Sequence, residues 1–319
     1  MALAGVRLTG CADVDPARLA RFTERYPCPG FTSYEELIAR PDVDAVVVAL
    51  PHFLHCDATI AALQAGKHVL LEKPMAMTVA ECDAMIAAAD RTGKQLMVGH
   101  SQHFFPVNQA ARALIAGGAI GRVVFATDTW YKPFYADPRP PWFLDASKGG
   151  GMWPMNGSHM IDRMTMFAGS KVAAVKAMVG TYFVDVPATD TGVALLQFAN
   201  GVHATLQHCG YQTGKGVERF EGEITGTEGQ LKFTTTRLWR CEEGKYEEVP
   251  VAASLPPLKP DWPGDKRLGA TFINQMAAFA EAIRTGGEPA VTALYGREIV
   301  RVLEACEASA RLGREVRLD

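Results

Sequence analysis

The sequence predicts an α/β protein in two parts: a parallel-sheet domain, then an α+β domain built on a large open mixed or antiparallel sheet. Three observations carry this. The first hundred residues alternate short β-branched runs with amphipathic helical patterns. Residues 45–50, Ala-Val-Val-Val-Ala-Leu, are apolar on both faces, as a central parallel strand must be. Beyond residue 170, extended segments follow one another with no helical pattern between them.

In order, residues 6–12 read as a strand and 16–26 as a helix, with Asp15 as N-cap and proline at its first position. A short helix covers 33–39, and the buried strand 45–50 follows. A helix over 55–65 is closed by Gly66, the strand 68–71 comes next, and the helix 79–92 starts after Thr78 and stops at Gly93. A strand over 95–98 completes the parallel part. The second part opens with a helix at 106–117, a long strand from 121, a proline-rich loop, and a helix from about 157 to 167. Strands are then expected at 172–182, 190–198, 203–208, 220–225 and 230–235. A proline-rich surface excursion at 251–267 and two amphipathic helices, 271–284 and 293–312, end the chain. The domain boundary is expected at 102/103, giving domains 1–102 and 103–319.

Bulk properties exclude several classes. The net charge of −3 gives no basic field for nucleic acid or an anionic membrane. No apolar run reaches the roughly 18 residues of a spanning helix. No secretion leader is evident in Met-Ala-Leu-Ala-Gly-Val-Arg. The seven cysteines are odd in number and lack metal-ligand spacing, so they read as reduced thiols of a cytoplasmic protein.

Candidate chemistry gathers at strand ends. In open α/β sheets ligands bind beyond the carboxyl ends of the strands. Pro51, His52 and His55 lie at one such mouth, and Glu72, Lys73 and Pro74 at the next. A lone Glu-Lys-Pro is an ordinary solvated loop. Here the lysine follows Val-Leu-Leu on a buried strand.

The run Ala-Gly-Lys-His-Val-Leu-Leu-Glu-Lys-Pro at 65–74 resembles the signature of the Gfo/Idh/MocA oxidoreductases, the glucose–fructose oxidoreductase and inositol dehydrogenase type. The similarity extends over nearly the whole chain. It includes Cys11-Ala12-Asp13-Val14-Asp15, Val98-Gly99-His100, Gly149-Gly150-Gly151 with His159, and Gly226-Thr227-Glu228-Gly229. Each piece is weak; their order and spacing together are specific.

The resemblance implies a Rossmann-type first domain and hydride transfer between NAD, or alternatively NADP, and a hydroxyl or carbonyl carbon of a sugar, polyol or related small molecule. It makes Lys73 and His159 the catalytic pair, acting on one substrate. Lys73 would hydrogen-bond the reacting oxygen, with its pKa depressed by burial and by the nicotinamide charge. His159 would relay the hydroxyl proton, and Asp162, one turn on, would orient the imidazole. Out of this context, a histidine on a Met-rich helix is a packing residue. Asp13, Pro51, His52, His55, Glu72, Lys73 and Gln102 would contact cofactor; Lys73, Asn156, His159 and Trp142 would contact substrate. Asp13 favours NAD, because a carboxylate there accepts a ribose hydroxyl and repels a 2′-phosphate. A cis Lys73–Pro74 bond and a homodimer or homotetramer are also implied.

Three departures stand out. No Gly-x-Gly-x-x-Gly precedes Asp13, so the chain is expected to begin after the phosphate loop and first strand, an N-terminally truncated Rossmann-type domain. Either the natural protein is longer, which is favoured, or the domain has lost that strand, which would leave two mid-sheet neighbours unpaired. Met155 stands where the family usually has an aspartate, with Asn156 beside it. His103 stands where arginine is common; with His100 it makes a weak metal spacing, and no metal is expected. The segment 130–142 interleaves Trp130, Lys132, Phe134, Tyr135, Arg139 and Trp142, which suits an anionic or ring-bearing substrate better than nucleic acid in an acidic chain, although plain domain packing accounts for the aromatics equally well. These departures keep two rivals open: non-redox chemistry such as decarboxylation or elimination on a cyclic or aromatic acid, and a non-catalytic binding module.

Overall fold

The computed structural model describes residues 3, 5–134, 139–251 and 266–318. The chain divides into two compact units: Met1–Gly99 with Pro256–Arg297, and His100–Leu255 with Glu298–Asp319.

The first unit holds β1 (Cys11–Ala12), α1 (Pro16–Arg25), β2 (Gly30–Phe31), α2 (Tyr34–Ile38), β3 (Ala45–Val48), α3 (His55–Gln64), β4 (His68–Leu71), α4 (Val79–Thr92) and β5 (Leu96–Val98). Asp15 caps α1 through Ala17 N and Arg18 N. Thr78 and Glu81 form a reciprocal capping box on α4, and Gly93 ends it in the left-handed region at φ 65°. All strand pairs are parallel, but in two separate sheets, β1–β2 and β3–β4–β5. Among the described residues β1 and β3 therefore each present an unpaired edge, and Val47 on β3 is 51% exposed. The strand expected over 6–12 is reduced to Cys11–Ala12, because β2 offers it only two residues to pair with. The Lys73–Pro74 bond is cis.

The second unit holds α5 (Pro106–Ala116), β6 (Val123–Pro133), α6 (Ser158–Ala168), β7 (Val172–Gly180), β8 (Thr191–Phe198), β9 (His203–Tyr211), β10 (Arg219–Gly226), β11 (Gln230–Thr234), β12 (Leu238–Glu242) and β13 (Lys245–Val249). The chain then enters α7 (Lys266–Thr285) and α8 (Ala293–Leu312) and closes with β14 (Val316–Arg317). Nine strands form one sheet in the order β13-β12-β11-β10-β6-β9-β8-β7-β14. Only β6 and β9 are parallel neighbours; every other pair is antiparallel. The polar strands β12 and β13 are absent from the sequence reading because their residues lack apolar alternation; pairing alone makes them strands. The excursion at 251–267 lies almost wholly outside the described residues.

The single boundary expected at 102/103 is replaced by a discontinuous division. Val98 N donates to Val291 O at 3.1 Å, and Met97 bridges Thr292, so the segment before α8 returns to the edge of the first unit's sheet.

Candidate active site

In the first unit, functional groups collect at the carboxyl ends of β3, β4 and β5. The chain leaves β3 through Leu50 and Pro51, makes a tight turn over His52–Leu54, and enters α3 at His55. His55, expected at the cofactor, is instead an internal tie. Its ring is fully buried, with Nε2 2.8 Å from Leu50 O and Nδ1 3.0 Å from Pro74 O. Burial pushes its pKa down, opposed by those carbonyls. Its ring thus fastens the β3 turn to the cis-proline turn. The buried His52 packs edge-on against it, ring centres 5.6 Å apart.

Beyond β4, Glu72 N donates to Val48 O, which carries the parallel ladder one residue further. The Glu72 carboxylate accepts from Lys73 N at 3.3 Å. Burial raises the pKa of Glu72, and the charge of Lys73 opposes this. Gly99, just past β5, closes this cradle. A Cβ there would lie 3.2 Å from Leu71 O and 3.4 Å from both Glu72 Oε1 and Gln275 Nε2. Gln275 is buried on α7 and escaped the sequence reading, since no local pattern ties position 275 to position 72. Asp13 follows β1 directly. Its Oδ1 accepts from Asp15 N at 2.8 Å, and its own N donates to Phe31 O.

NAD fits these residues at two points. Asp13, at a parallel strand's carboxyl end, offers a carboxylate to a ribose diol. The side-chain-free Gly99, beside Leu71 O, Glu72 and Gln275, leaves a cradle that a Cβ would fill.

In the second unit, α6 lies over the sheet face that carries Asp128, Trp130 and His208. Trp153 anchors the wide turn before α6. It is fully buried against Gly192, where a Cβ would come within 2.0 Å of the indole. This fixes Asn156 and then His159. The His159 ring lies 5.9 Å from the Trp130 ring, which meets Phe220 edge-on at 5.1 Å. Asn156 Nδ2 donates to His208 Nε2 at 2.9 Å, so this amide hydrogen, expected to serve substrate, is committed to the protein. His208 is buried and its pKa is pushed down to about 4. Burial is the main cause, the Asp190 backbone opposes it, and Lys132 adds to it.

Asp162, expected to orient His159, faces other groups. Its Oδ1 is 2.9 Å from His103 Nε2, and its Oδ2 is 3.6 Å from His100 Nδ1. The next residue, Arg163, donates through Nε (2.9 Å) and Nη2 (2.7 Å) to Asp128 Oδ2. Its Nη1 donates to Gln102 Oε1 at 2.8 Å, and Asn108 Nδ2 donates to the same oxygen at 2.9 Å. The oxygen of Gln102, expected at the cofactor, therefore belongs to this buried network. Burial raises Asp128 to about 6 against the pull of Arg163. Trp142, expected at substrate, packs on an apolar cluster of Phe134, Phe143 and Met152. Among the described residues, no three His, Cys, Asp or Glu side chains group as a metal site, and no helix is long and apolar enough to cross a membrane.

Comparison with known proteins gives these sites a context. A family model for oxidoreductases with an NAD-binding Rossmann fold matches residues 2–100, and a GFO/IDH/MocA C-terminal domain model matches residues 108–232. The chain is 37% identical over 207 residues to 1-carboxy-3-chloro-3,4-dihydroxycyclohexa-1,5-diene dehydrogenase of Comamonas testosteroni, covering 65% of this chain and 52% of that protein. It thus spans about half the length of that relative. It is 32% identical over 275 residues to 1,5-anhydro-D-fructose reductase of Ensifer adhaerens, covering 82% of this chain and 75% of that protein. The crystal structure of aldose-aldose oxidoreductase from Caulobacter crescentus, complexed with glycerol, superimposes with a TM-score of 0.82 at 28% identity, over 98% of this chain and 92% of that one. By these matches to both halves, and by the strand-end residues described above, the chain belongs to the Gfo/Idh/MocA family of NAD-binding oxidoreductases.

Proposed function

We propose that this chain is an NAD-dependent dehydrogenase or reductase acting on a hydroxyl or carbonyl carbon of a polyol, sugar or cyclic diol. The observation that carries this reading is the Glu72–Lys73–Pro74 turn at the carboxyl end of β4, held by the His55 tie and bordered by Gly99. NAD, when bound, supplies the hydride acceptor or donor. Asp13 holds the adenosine ribose, and Glu72 and Lys73 stand at the reacting end. Lys73 is the proton-transfer group of the first unit, and His159 is the candidate proton-transfer group of the second. Relatives are named for a dihydroxycyclohexadiene and for an anhydro sugar, which supports a hydroxyl or carbonyl of a small cyclic molecule as the reacting class. Recording nicotinamide absorbance at 340 nm against a panel of polyols, sugars and cyclic diols tests this. Absence of any nicotinamide-linked turnover in protein that binds NADH would defeat it.

A second reading, decarboxylation or elimination without net redox, draws on one observation: Met155 occupies the acid position and Asn156 is bound to His208. Product analysis separates the two. We also infer a homodimer or homotetramer through the outer sheet face, where Met178 pairs with Val193 beside Leu195, all exposed. Light scattering checks this, and a monomer contradicts it. Seven free cysteines accord with residence in the cytoplasm.

A further inference from the structure

Lys132 shares a sheet face with Asp128 and Trp130, by the two-residue period of β6. Its Nζ stands 5.8 Å from the centre of the Trp130 ring, and Trp130 is in register with His208 across the parallel pair. The lysine is partly buried, and among the described residues no carboxylate reaches ion-pair distance of it. Glu218, itself exposed, is the acid whose charge favours its protonation. Against this act burial, the larger cause, and the like charge of Arg139, which lies 4.5 Å over the Phe143 ring. Burial and the like charge of Arg139 both disfavour the ammonium, and an anion beside it reverses that sign.

We infer that Lys132, supported by Arg139, forms a carboxylate-binding subsite for a ring-bearing substrate whose ring lies against Trp130 and whose hydroxyl faces His159. The Trp130 ring centre is 5.8 Å from the Lys132 ammonium and 5.9 Å from the His159 ring centre, so one aromatic ring adjoins both groups. Phe220 packs edge-to-face with Trp130, ring centres 5.1 Å apart. The substrate class is thus a cyclic acid that also carries a hydroxyl. The inference rests on the proposed role of His159 as a substrate-facing group.

The test uses matched acid and amide probes, which differ in charge and little in shape. The 319-residue protein is titrated calorimetrically with benzoate against benzamide, and with cyclohexanecarboxylate against its carboxamide. The acids are expected to bind at least about tenfold more tightly. Lys132→Met removes that preference, Lys132→Arg keeps most of it, and Lys215→Met, an exposed-charge control, leaves it unchanged. Retained far-UV dichroism and melting in Lys132→Arg guard against a folding artefact. Equal binding of acid and amide by the native protein overturns the subsite, as does an undiminished preference in Lys132→Met. Turnover of a neutral polyol with NAD but no acid preference sinks the subsite and spares the redox reading. Acid preference without nicotinamide-linked turnover of any hydroxy acid does the reverse.

Discussion

Arg163 Nη2 lies 2.7 Å from Asp128 Oδ2, with both side chains fully buried between α6 and the nine-stranded sheet. The guanidinium also lies 4.5 Å over the Phe220 ring and 5.6 Å over Phe233. It therefore fixes the helix that carries His159. Removing one partner strands a buried charge, at a cost of about 3–5 kcal/mol. Arg163→Leu should lose that much stability in urea unfolding, and Asp128→Asn combined with Arg163→Leu should recover a large part. Additive losses in the double variant would show that the two charges are not coupled.

Lys73 is predicted to be the principal proton-transfer group. Lys73→Met should lower kcat/KM by about 10²–10⁴ while NADH affinity, read by fluorescence, changes little. Full activity in the variant would remove Lys73 from the chemistry.

Asp13 is predicted to select NAD. Asp13→Ala should raise KM for NAD by about tenfold, the value of one charge-assisted hydrogen bond, and narrow the preference over NADP. An unchanged ratio of kcat/KM for the two cofactors would exclude the role.

His55 should behave as a structural tie. His55→Leu removes the one N–H that the neutral ring donates to Leu50 O or Pro74 O, which costs about 1–3 kcal/mol. Melting temperature should fall, while NADH binding by the folded fraction stays within about threefold, well under the tenfold that 1.4 kcal/mol represents. Loss of binding without loss of stability would restore the cofactor role.

His208 should make stability pH-dependent. Its pKa is about 4 in the fold against 6.5 in the free side chain, so the unfolded chain binds more protons between those values. The stability from keeping it neutral is complete above 6.5 and is lost as pH falls toward 4, about 3 kcal/mol in all. Asp128, raised from 3.8 to about 6, acts in the opposite sense: its contribution falls as pH rises through that window. Comparing native protein with His208→Gln isolates the histidine. The native protein should lose stability relative to the variant as pH drops from 6.5 to 5. Parallel melting curves across that range would refute the assignment.

The amino-acid order alone determined the parallel strand–helix alternation, the caps at Asp15, Thr78 and Gly93, and the position of Lys73 at a strand mouth. These depend on residues within a few places of one another, where periodicity and side-chain-to-backbone bonds act directly. The family resemblance, and not the sequence pattern by itself, singled out His159 after the triple glycine. Tertiary structure alone decided who partners whom. Asp162 turned to His103 and His100 because the segment after β5 packs against α6. Asp128 and Arg163 are 35 residues apart, and Arg163 and Gln102 are 61 apart, so no local pattern encodes either bond. Gln275 reaches the Glu72 cradle because the 256–297 segment returns to the first unit. A buried polar atom must find a partner wherever the packing places one, and that choice is made by the assembled core rather than by neighbours in the chain.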